Sequence, residues 1–155
     1  MKAKKLSKLS SKKWPSSLGK QDGLAAVEFL ISVPVILLIL VGMTEIGNAM
    51  IRYNTLNKMA QSGIRYATTD IQGTATYDQV ADHSAIKNMV VYGSTGGSGS
   101  AMVDGVTTGD VSVTHAGGYV TITISHNYTP VLGAFPQSLP FSIPLNASAV
   151  MRTAP

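Results

Sequence analysis

"LAAVEFLISVPVILLILVGMT", residues 24–44, decides the architecture. Its 21 residues carry one charge, Glu28, five positions in. As an α-helix the run rises about 31 Å at 1.5 Å per residue, which matches the roughly 30 Å hydrocarbon core of a bilayer. Pro34 lies inside it and withholds a helical partner from the carbonyl of Leu30, so a kink or local loosening is expected there. A carboxylate in such a run is unfavourable and calls for a purpose.

Working outward, the preceding residues 1–23 hold seven lysines against Asp22 alone, a net charge of +6, whereas residues 24–155 carry −2. The formal +4 of the chain is therefore a property of its tail. A cationic segment that remains cytoplasmic while the next one enters the membrane explains this layout, and places the C-terminal part on the far side. Nucleic acid is not an expected partner, because the basic charge does not belong to the folded part. The tail is polar, rich in lysine and serine, broken by Pro15 and Gly19, and expected to be disordered; Trp14 within it carries no specific signal. Cysteine is absent, so disulfides and thiolate metal sites are excluded.

Beyond the run, apolar residues recur at Ile46, Ala49, Met50, Tyr53, Leu56, Ala60, Ile64 and Ala67, which is helical periodicity with one greasy stripe. Asn48, Arg52, Thr55 and Ser62 fall on the other side. The stripe is expected to pack on this protein's own domain, with packing against neighbouring copies as the alternative. Gly47 and Gly63 weaken the helix locally. After a polar linker around residues 70–76, "YDQVADHSAIKNMVVYG" (77–93) predicts a second, shorter helix. "GSTGGSGS" (93–100) reads as a flexible loop; it lacks the lysine of a phosphate-binding loop and no clear strand precedes it. The pattern then changes period: Val111 and Val113, then Val120, Ile122 and Ile124, alternate with polar residues around the hairpin signal "AGG" (116–118). After Pro130, Pro136 and Pro140, "FSIPLNASAVM" (141–151) supplies a third strand, with Pro144 placing it at an edge or a bulge. The fold class expected is α+β: a long, partly transmembrane N-terminal helix, a short helix and a small antiparallel sheet.

Three readings of the opening stretch compete. A secretory signal peptide cut after "GNA" (47–49) has small residues where such a site needs them, but its tail is too long and its apolar run exceeds the usual 7–15 residues. A plain signal anchor leaves Glu28 without a role. The third rests on a resemblance: a lysine-bearing leader ending in glycine, four small or apolar residues, glutamate, phenylalanine and a hydrophobic helix look like the prepilin signal of type IV pilins. "DGLAAVEFLISVPVILLILVG" resembles the TadE/TadG-like pseudopilins of tight-adherence (type IVb) pilus systems. "EIGNAMIRYNTLNKMAQSGIRYA" is similar to that family's extended helix, and "VTITISHNYTPVLGAF" and "PLNASAVMR" to its closing strands.

The resemblance implies a basic leader over 1–23, a transmembrane and extended amphipathic helix over 24–68, and a periplasmic α+β domain over 69–155. It implies cleavage by an inner-membrane prepilin peptidase between Gly23 and Leu24, where glycine lets a protease approach the backbone. Glu28 and Phe29 would then belong to the processing and assembly motif. The new Leu24 amine becomes a cation at the membrane edge and Glu28 its counter-charge, within one helix or between copies. An aspartate-like charge at a helix centre costs about 2.5–3.5 kcal/mol; a place near the helix N-terminus, opposite an amine, lowers that. Small residues Ala25, Ala26 and Ser32 would permit close packing against other pilin or pseudopilin subunits.

The chemistry of an enzyme is not legible. His83, His115 and His126 show no metal-ligand spacing, and Asp82 beside His83 diverges from it on a helix. No serine sits in a G-x-S-x-G elbow. "NYT" and "NAS" match a glycosylation acceptor pattern that is common by chance, and Arg152 reads as a solvated arginine. A structural protein without cofactor or metal is expected.

Overall fold

The computed structural model describes residues 18–70, 79–130 and 142–153, and side chains from Gly23 onward within these ranges. The tail with Trp14, the linker 71–76 with Tyr77 and Asp78, and Pro136 and Pro140 lie outside the described residues. Internal contacts divide the chain into two units, Met1–Leu40 and Val41–Pro155. Helix α1, Leu18–Thr69, contributes to both. It starts within the leader, where disorder through Gly23 was expected. Extending an existing helix adds a hydrogen bond per residue without a new nucleation cost, so an apolar helix draws in its flank.

In the first unit α1 runs through Pro34 without ending. Residues 24–40 are exposed apart from a half-buried Val33, and α1 is long and apolar enough to cross a membrane. The Ser32 hydroxyl donates to the Glu28 carbonyl at 2.7 Å, satisfying inside the helix a polar group that lipid would not.

The second unit packs the C-terminal part of α1 and helix α2, His83–Tyr92, on a three-stranded sheet. Strands β1 (Val111–Ala116), β2 (Tyr119–Tyr128) and β3 (Ile143–Arg152) run antiparallel in the order β1-β2-β3. The α+β arrangement read from the sequence is thus observed. Gly117 and Gly118, at φ 59° and 76°, form the β1–β2 turn between paired Ala116 and Tyr119, where two residues with positive φ are required. Pro144 sits near the start of β3, an edge strand of this sheet, where a missing N–H is tolerated. On β2, Val120, Ile122 and Ile124 are fully buried as the alternation predicted. They meet Leu56, Met59, Ala60, Ile64 and Ala67 of α1 and Ile86, Val90 and Val91 of α2 in one core. Gly63 belongs to that core: a Cβ there would collide with Val90 Cγ2 and come within 3.2 Å of Ile122 Cδ1. The helical weakness of this glycine is offset by the close approach it allows.

One expectation is corrected. The second helix does not include residues 79–82; it begins at His83 because Asp82 caps it, its Oδ2 accepting from the backbone N–H groups of Ser84 and Ala85, each at 3.0 Å. The Ser84 hydroxyl donates to the same oxygen. Gly93, at φ 69°, closes the helix. Asn88 Nδ2 donates to the Thr95 carbonyl in the glycine-serine loop at 3.0 Å.

Candidate functional site

The residues singled out in the sequence lie along the first unit's part of α1. Gly23 is exposed, with open space where a Cβ would stand. Leu24 is 72% and Phe29 69% exposed, and Glu28 and Pro34 are exposed as well. Leu24 and Glu28, four apart, occupy one face on successive turns. The segment therefore presents apolar side chains and one carboxylate to its surroundings, with no internal packing to account for them. That is the arrangement of a surface meant for lipid or for other helices.

In the second unit the greasy stripe divides. Ala49, Leu56, Ala60, Ile64 and Ala67 are buried, as expected of packing on the protein's own domain. Ile46, Met50 and Tyr53 are exposed instead, at 60%, 64% and 44%. Arg52, read as lying on the outer side, turns toward the sheet. Its guanidinium stands 5.2 Å from the Tyr128 ring centroid, and its Nη1 donates to the Asp104 carbonyl at 3.4 Å.

The residue that sequence reasoning passed over is Glu45. It is 3% exposed, and the Tyr128 hydroxyl donates to its Oε2. Glu45, Tyr128 and Arg52 thus form a polar clasp between the end of β2 and the helix turn following the apolar run. The available signal was a second carboxylate immediately after that run, followed at helical spacing of two turns by an arginine. The histidines fall as follows: His83 opens α2, His115 is on β1 and His126 on β2, with His126 Nδ1 3.9 Å from Asp110 Oδ2. At the far end of α1, a hydrogen bond to the Asp70 carboxylate, assisted by desolvation, raises the Tyr66 hydroxyl above its ordinary pKa. Among the described residues, no three metal-ligating side chains gather around a common point.

Neither a curated protein nor a solved structure matches the chain. One family model does, over the apolar run and the helix beyond it: residues 23–65 match TadE-like protein, consistent with a TadE-like pseudopilin of tight-adherence pili.

Proposed function

We propose that this chain is a structural minor pilin or pseudopilin of a tight-adherence (type IVb) pilus system, contributing to assembly, adhesion or secretion. It inserts in the inner membrane with its lysine-rich end cytoplasmic and its α+β domain periplasmic, and a prepilin peptidase cuts it between Gly23 and Leu24. The observation that carries this reading is that the family match begins at Gly23, where the basic leader gives way to exposed apolar helix. Gly23 has open space at its Cβ position, so the fold of this chain makes no demand for glycine there. A protease reading the backbone supplies one. Once the leader is removed, the Leu24 amine and the Glu28 carboxylate of a neighbouring subunit pair and set the axial register as helices assemble.

The mature N-terminus tests the reading. Mass spectrometry of protein from the native membrane is expected to find Leu24 first, with or without a methyl group. An intact Met1 favours instead a signal-anchored binding module whose helix only tethers the domain, and a start at Met50 favours secretion of a soluble domain. The role of Glu28 is separable: Glu28→Leu should insert normally yet fail to co-fractionate with pili. Undiminished incorporation would sink the pairing while leaving the processing site standing.

A further inference from the structure

The exposed face of α1 changes character within the second unit. Between residues 43 and 53 the exposed side chains are Met43, Thr44, Ile46, Met50, Ile51 and Tyr53, with no charge among them. From residue 54 onward they are Asn54, Lys58, Gln61, Ser62, Arg65 and Thr69, all polar. In the same upper stretch the charged residues turn inward. Glu45 is buried under the Tyr128 hydroxyl, and Arg52 lies over the Tyr128 ring with a hydrogen bond to the Asp104 carbonyl. Charges within and large apolar groups outside invert the arrangement that water selects and reproduce the one that lipid selects.

We infer that the face formed by Met43, Ile46, Met50, Ile51 and Tyr53 is a lipid-contact surface, so that this end of the folded unit rests in the interfacial layer of the membrane. The inference rests on the membrane anchoring proposed above. Three features favour lipid over a second protein chain. The face follows the apolar run directly in the sequence of α1. It spreads over about half the helix circumference at 100° per residue, whereas a helix-to-helix seam is a narrower stripe. It is built from methionine and isoleucine, whereas seams between membrane helices favour small residues. Tyr53, at the polar end of this face, is the residue type that settles at a membrane interface.

The chain contains no cysteine, so single spin labels can be placed at will by Leu38→Cys, Ile46→Cys, Met50→Cys and Lys58→Cys in the full chain. Each labelled protein is reconstituted in nanodiscs of phosphatidylethanolamine and phosphatidylglycerol, and its collision with oxygen is compared with that of a water-soluble nickel chelate. Positions 46 and 50 are expected to favour oxygen several-fold over position 58, as position 38 does. Nickel access at 46 and 50 equal to that at 58 overturns the inference and leaves the anchor intact. Spectral broadening at 46 and 50 that sharpens on dilution with unlabelled chain also overturns it, and assigns the face to a second copy. Nickel access at position 38 rejects the anchor itself and the inference with it.

Discussion

Leu38 and Leu56 belong to the same helix, yet one is 68% exposed and the other fully buried. Around Leu38 the helix is apolar on every side; around Leu56 it is apolar only where α2 and the sheet cover it, and Asn54 and Lys58 face outward. The difference teaches that continuous secondary structure does not imply a common source of stability. The first stretch is long and apolar enough for a bilayer, where lipid would leave backbone groups no partner but each other. The second is held by a core that removes apolar side chains from water.

The largest test of that contrast is truncation of each leucine. Leu56→Ala should destabilise the folded unit by about 2–5 kcal/mol, the cost of lost burial plus an unfilled cavity. Leu38→Ala should leave the same transition within about 0.5 kcal/mol, since Leu38 is exposed and lies outside that unit. Urea unfolding in mild micelles, followed by near-ultraviolet dichroism, measures both. Comparable losses would mean that the two stretches share one cooperative core.

Glycines sharpen the contrast at smaller scale. Gly47 has no atom within 4 Å of a built Cβ, whereas the same atom on Gly63 meets Val90 and Ile122. Gly47→Ala should therefore stabilise by about 0.5–1 kcal/mol through helix propensity alone. Gly63→Ala should cost about 1–3 kcal/mol, because overpacking outweighs that gain. Opposite signs in the same unfolding assay are the expected outcome; equal signs would show that α2 yields to the added methyl.

The anchor and the strands were legible because their signals are local. A 21-residue apolar run needs no partner to be recognised, and Val120, Ile122 and Ile124 declare their face by alternation. What stayed illegible depends on distant residues. Glu45 reads as a polar residue following a greasy run until Tyr128, 83 positions away, is placed on its carboxylate. The stripe at Ile46, Met50 and Tyr53 obeys the helical period, but periodicity does not say how far along the helix the covering sheet extends. Leu24, Glu28 and Phe29 stand exposed on the helix, while the role proposed for them lies in encounters with a protease and other subunits. Any evaluation of that role needs those partners present.

The smallest effect concerns the N-terminus of α2, whose early start was mispredicted because Val80 and Ala81 continue the apolar pattern past Asp82. The Ser84 hydroxyl and the backbone N–H of Ala85 hold the Asp82 carboxyl below its ordinary value of 3.8. Asp82 therefore binds protons less readily in the folded chain than in the unfolded one. Its contribution is fully present above the ordinary carboxylate pKa and is lost only as pH falls through the lower, folded value. Amide exchange at Ser84 and Ala85 should accordingly show protection unchanged from neutral pH down to the carboxylate range, and declining below it. Asp82→Asn keeps an oxygen to accept the same N–H groups but has no carboxyl to titrate. Protection in that variant should stay flat across the same pH range; a decline like that of the wild type would place the acid sensitivity elsewhere in the unit.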